Sequence, residues 1–189
     1  MRVVIGIPSR MGSTRFPGKP LCKIMNHSML EHCYKRSCLS KVASDVFVAG
    51  CDQEIQDEVA RFGGKYIHTD KNITRPGLRV AAAAESLNLD DDDIVVVLQG
   101  DEPLIRPEMI DDILRPVVDG EVFVSNGCFE ADLNDLNDPA EIKVVCDNQI
   151  FRAKLRGPHV SLCPWAQDAF YMASKSLTAA QFVGAHGRH

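Results

Sequence analysis

Two stretches of the chain concentrate side chains able to do chemistry on a charged ligand. The first, IPSRMGSTRFPGKPL from Ile7 to Leu21, runs from an apolar segment into Arg10, Ser13, Thr14, Arg15 and Lys19, with glycines at Gly12 and Gly18. Glycines let the backbone approach a ligand closely, hydroxyls and amides donate to oxygens, and fixed cations balance negative charge. That combination suits a triphosphate, and a charged surface turn is the plainer reading of the same residues. The GxxxxGK[ST] order is missing and so is GxGxxG. The second stretch, LQGDEPLI from Leu98 to Ile105, puts Asp101 and Glu102 directly after an apolar run. Asp101 could hold Mg²⁺ through one carboxylate, with phosphate oxygens and waters completing the shell. The two acids would serve equally as caps or turn residues ahead of a helix near Pro107. A cationic loop and an acidic loop meeting at one edge would suit a metal–nucleotide.

The elements around these loops read as alternating strand and helix. VVIGI (Val3 to Ile7), DVFVA (Asp45 to Ala49) and IVVVL (Ile94 to Leu98) are short, nearly continuous β-branched runs, the pattern of parallel strands covered on both faces. Helical stretches lie between them, from Ser28, from Asp52 and from Gly77. Asp52 is placed as an N-cap, and Phe62, Gly63 and Gly64 form a helix stop. The alternation predicts an α/β fold, a doubly wound and mostly parallel sheet with right-handed crossovers. Ligands in such sheets sit beyond the carboxyl ends of the strands, where both loops emerge. The run Asp90 to Asp93 reads as a solvated turn rather than a metal site, because consecutive carboxylates splay apart.

Composition narrows the classes. The 189 residues fit one domain, with 45% hydrophobic and 25% charged residues, as in ordinary globular proteins. A net charge of -5 argues against broad nucleic-acid binding and permits a local basic site. No run approaches a membrane span, and the N-terminal apolar run is interrupted too early for a signal peptide. Seven cysteines without a CxxC pair predict reduced thiols in a cytoplasmic protein.

Taken together, IPSRMGSTRFPGKPL and VVVLQGDEPLI resemble the two signatures of the sugar-acid cytidylyltransferases, most closely the branch that activates 3-deoxy-manno-octulosonate (KDO). DPAEIKVVCD, from Asp138 to Asp147, is similar to a third family segment. The resemblance implies a Rossmann-like nucleotidyltransferase fold and a reaction in which CTP and a 3-deoxy-2-ulosonic acid give a CMP-sugar and pyrophosphate, with Mg²⁺ as cofactor. It implies that Arg10, Ser13 and Lys19 hold the CTP phosphates and that Arg10, Lys19 and Asp101 form the catalytic set. Asp101 would bind the metal, Arg79 would lie near the nucleotide, and Gln99 and Lys143 would contact the sugar acid. The family's habit and the apolar residues of the tail imply a homodimer.

The resemblance covers residues 1–147, a nucleotide-binding core. Residues 148–189 depart from the family pattern and read as a divergent C-terminal tail, not a separate domain. Asp168 is the only carboxylate side chain beyond Asp147, and His159, His186 and His189 have no ligand spacing. That departure leaves an alternative in view, a catalytically impaired nucleotide-binding homologue or an interaction subunit. An NAD-type oxidoreductase fits the alternation but lacks the glycine fingerprint.

Overall fold

In a computed structural model of the chain, residues 1–12 and 16–127 and the backbone of 171–174 are described. Along the chain run β1 (Val3–Pro8), β2 (Lys23–Ile24), β3 (His27–Ser28), α1 (Met29–Ser37), β4 (Asp45–Gly50), α2 (Gln53–Arg61), β5 (Tyr66–His68), α3 (Pro76–Ala84), β6 (Ile94–Leu98), α4 (Pro107–Val118), β7 (Val124–Asn126) and β8 (Tyr171–Ser174). The main sheet has six strands in the order β5-β4-β1-β6-β8-β7. The strands β5, β4, β1 and β6 run parallel, while β8 runs antiparallel to both β6 and β7. β8 comes from within the segment read as a divergent tail. The strands β2 and β3 form a separate hairpin.

Side chains alternate across each strand, so the buried runs supply two cores. Val3, Ile5, Ile7, Val48, Val96 and Leu98 face α1, α2 and α4 through Leu30, Ile55, Val59 and Leu114. Val4, Phe47, Ala49, Val95 and Val97 face α3 through Val80, Ala83 and Ala84. Helices on both faces account for the continuous β-branched strands. Ser28 caps α1 by accepting from the Glu31 amide at 3.1 Å, and Gly63 ends α2 with φ +74°, a conformation that glycine adopts without strain. Among the described residues no helix is long and apolar enough to cross a membrane, and Cys22, Cys33, Cys38 and Cys51 are free thiols.

Two carboxylates anchor this frame. Glu31, buried on α1, meets His27 Nδ1 at 2.8 Å and takes ion pairs from Lys35 at 2.6 Å and from Arg61 of α2. Burial alone would raise its carboxyl, but those three partners outweigh it and hold it at about 2. The acidic run is not uniformly solvated. Asp90, Asp91 and Asp92 are exposed, but Asp93 is buried at the foot of β6. It accepts from the Arg2 amide, from Arg2 Nε at 3.0 Å and from the Asp90 amide at 3.0 Å. Backbone amides that need an acceptor outcompete hydration for this one acid.

The Arg2 and Asp90 amides, with the Arg2 side chain, hold the Asp93 carboxyl down at about 2. Unfolded, it titrates near the ordinary aspartate value of about 4, so its stabilisation is whole above that pH and is lost as pH falls through the folded value. Asp93→Asn should therefore be less stable than the parent at pH 7 by about 2 kcal/mol in urea unfolding. The gap should close as the pH is lowered from about 4 to about 2.

Candidate functional site

The site begins where β1 leaves the sheet. Ser9 makes a last rung, donating its amide to the Ala49 carbonyl at 2.9 Å. Beyond it the chain opens into the cationic loop, whose two ends are tied together. The Gly18 amide donates to the Met11 carbonyl at 3.4 Å, and the Met11 amide donates to Asp52 Oδ2 at 2.8 Å. Gly18 has φ +71°, so a side chain there would be strained. It starts the short 3₁₀ turn Lys19–Leu21 that aims Lys19 back over the sheet edge.

The acidic loop arrives from β6 on the neighbouring side. A side chain at Gly100 would come within 3.2 Å of the Pro8 carbonyl, so glycine permits the second loop to cross close to the end of β1. Across this contact Lys19 Nζ lies 2.6 Å from Asp101 Oδ2, with the two side chains 37% and 42% exposed. The two loops predicted to share an edge do so through their catalytic candidates. Arg106 holds the N-cap position of α4, and Asp101 sits in the turn before it with its carboxylate on Lys19.

The other predicted residues fall in several places. Arg10 is exposed beside the loop, and no ion pair among the described residues engages it. Gln99 is half-buried just past β6. Arg79 is not solvent-facing. It is 3% exposed, and its guanidinium donates to Thr69 Oγ1 and to the Ile73 carbonyl. Thr69 Oγ1 in turn donates to the Gly50 carbonyl at 3.1 Å. Arg79 thus braces the turn between β5 and α3 against the end of β4. Ser13 and Lys143 lie outside the described residues, as do Thr14, Arg15 and Asp168.

Residues that the motifs did not flag complete the edge. Asp52 occupies the N-cap position of α2 but makes no side-chain cap there; its carboxylate is spent on Met11. Its position just after a strand was the available signal. Tyr66 fills the space that a side chain at Gly50 would need, with ring and hydroxyl atoms 3.0 and 3.2 Å from that point. Burial pushes the Tyr66 phenol up to about 12, Cys51 and Asp52 adding to the rise and Arg79 opposing it. Cys33 lies close under the acidic turn. Burial, and then Asp101 and Glu102, push its thiol up to about 12 against the opposing bond to the Glu102 backbone, so it stays a neutral packing group. Among the described residues no group of three or more His, Cys, Asp or Glu side chains could hold a metal. Asp101 offers a single carboxylate, which fits an ion that takes the rest of its shell from ligand oxygens and water.

Comparisons with known proteins bear on the family and the fold. A family model described as cytidylyltransferase matches residues 3–175. The chain is 41% identical over 152 residues to the 8-amino-3,8-dideoxy-manno-octulosonate cytidylyltransferase of Shewanella loihica, across 79% of this chain and 62% of that protein. The protein of the same name from Shewanella frigidimarina is 41% identical over 151 residues, across 78% and 62%. The chain thus spans less than two thirds of the length of the curated relatives it matches. Among solved structures, a CMP:2-keto-3-deoxy-manno-octonic acid synthetase complexed with CTP superposes with TM-score 0.80 and 26% identity, over 100% of this chain and 80% of that one. A 4-diphosphocytidyl-2C-methyl-D-erythritol synthase, at 13% identity, shares the fold with TM-score 0.65, over 100% and 82% of the two chains.

Because Arg79 is committed to two protein acceptors, Arg79→Leu should destabilise the free protein by about 2–3 kcal/mol through its orphaned partners. Urea unfolding without any ligand checks this.

Proposed function

Since the chain belongs to the cytidylyltransferase family, we propose that it transfers a cytidylyl group from CTP to a 3-deoxy-2-ulosonic acid of the KDO type, releasing pyrophosphate. One observation carries the reading: Lys19 of the cationic loop meets Asp101 of the acidic loop at 2.6 Å, at the carboxyl ends of β1 and β6. A triphosphate entering there finds a cation within reach and a carboxylate suited to a magnesium ion. The names of the matched curated relatives point to the 8-amino form of the sugar acid as the first acceptor to try.

In this reaction the anomeric hydroxyl of the sugar acid attacks the α-phosphorus and gives up its proton to water. The bond from that phosphorus to the bridging oxygen breaks, and pyrophosphate leaves. Lys19 would exchange its carboxylate partner for phosphate oxygens, and Arg10, exposed beside the loop, would join it in steadying charge on the leaving group. Loop amides and hydroxyls would fix the phosphates for in-line attack. Gln99, at the end of β6, would orient the sugar acid. Asp101 would hold Mg²⁺, which when bound supplies charge neutralisation on the phosphates. Arg79 would contribute by shaping the β5–α3 turn.

The test is pyrophosphate release from CTP with Mg²⁺ and either KDO or its 8-amino analogue. Turnover is expected, with Lys19→Ala and Asp101→Ala each lowering it by about 100-fold or more. Nucleotide binding unchanged by Lys19→Ala would overturn the reading of the loop.

A further inference from the structure

The end of β4 holds a carboxylate whose position and use disagree. Asp52 stands at the N-cap position of α2, where an aspartate ordinarily turns back to accept from its own helix. It makes no such bond. Oδ2 instead accepts the Met11 amide at 2.8 Å, with the Cys51 thiol 3.7 Å away. The residue thus forgoes a local cap in favour of a bond to a loop 41 positions earlier in the chain.

That bond falls at a decisive point. Met11 is the last residue before the glycine and hydroxyl segment of the cationic loop, and its carbonyl accepts the Gly18 amide at 3.4 Å. Gly18 leads directly into the turn that carries Lys19. The Met11 side chain packs on the core and lies 3.7 Å from the position a Gly18 side chain would take. The start and the finish of the loop therefore close on Met11, and Asp52 ties that junction to α2.

We infer that Asp52 is a positioning residue for nucleotide binding, holding the cationic loop in register with the sheet edge through the Met11 amide. The inference rests on the proposed nucleotide site. Removing the acceptor leaves the Met11 amide without its partner and frees the junction on which both loop ends close. An orienting role needs an oxygen acceptor and no charge, so an asparagine with its amide oxygen toward Met11 should substitute. A role through the negative charge would instead fail with asparagine.

Two measurements on the full chain separate this inference from the proposed function. The first is ligand-free hydrogen exchange at the Met11 amide. It should be protected in the parent and in Asp52→Asn and exchange about tenfold or more faster in Asp52→Ala, as a lost bond implies. The second is CTP affinity with Mg²⁺, together with the KM for CTP and kcat. Asp52→Ala should weaken CTP binding and raise KM by about tenfold with kcat within about threefold of the parent, while Asp52→Asn stays within about threefold in both. Unfolding midpoints within a few degrees of the parent would show that both variants remain folded. Equal Met11 exchange in all three proteins would overturn the inference, as would equal CTP affinity in all three or a loss in Asp52→Asn as large as in Asp52→Ala. If the parent itself fails to bind CTP, the proposed function fails, and with it the nucleotide-positioning role, whatever the Met11 amide does.

Discussion

β1 is hydrogen-bonded on both sides, to β4 and to β6, and buried along its whole length. Its successor segment can leave only between two neighbouring strand ends, and that confinement decides the rest of the edge. From β1 the chain order proceeds to β4 and β5 on one side and to β6 on the other. The end of β1 is thus where the order of the sheet reverses, the place where open α/β sheets leave a crevice. The cationic loop must start there, and the loop after β6 must end beside it. The absent side chain at Gly100, opposite the Pro8 carbonyl, turns this neighbourhood into contact.

The molecule uses charge pairs in two opposite ways. Glu31 is buried and held by three partners joining α1 to α2 and the hairpin; stripped of them it would be a costly unpaired buried charge. Lys19 and Asp101 are both more than a third exposed. Exposed pairs of this kind contribute little, about 0–1 kcal/mol, so parting these two side chains would cost the fold little. Strength is placed where α1 and α2 are braced, and weakness where the two loops meet.

Much of this was legible in the sequence because it depends on local pattern. The β-branched runs marked β1, β4 and β6, Ser28 marked the start of α1, and the glycines after Phe62 marked the end of α2. The meeting of the two loops at one edge was legible because both follow strands of one parallel sheet. What escaped depends on distant partners. β5 and β7 are three residues each, too short to show a period. β8 comes from the region read as a divergent tail, and its pairing with β6 is set by the rest of the sheet. Asp93 looked like its three neighbours, and the bonds it accepts from Arg2 and from the Asp90 amide distinguish it. Asp52 was placed at the right position, but its side chain answers to Met11 rather than to its helix. Arg79 stands in the first turns of α3, and which acceptors it meets follows from the path of the β5–α3 turn.

The fit between Gly50 and Tyr66 bears on how this chain can change over generations. A Cβ at position 50 would stand 3.0 Å from the half-buried Tyr66 ring and 3.3 Å from the Ser9 carbonyl oxygen, so the ring would have to give by a few tenths of an ångström beside a fixed backbone. A residue larger than glycine at 50 is accommodated only as far as that ring can shift, and a smaller residue at 66 would relieve the ring contact while leaving the one to the Ser9 carbonyl. The cost of a substitution at 50 therefore depends on what stands at 66, and the two changes should be non-additive.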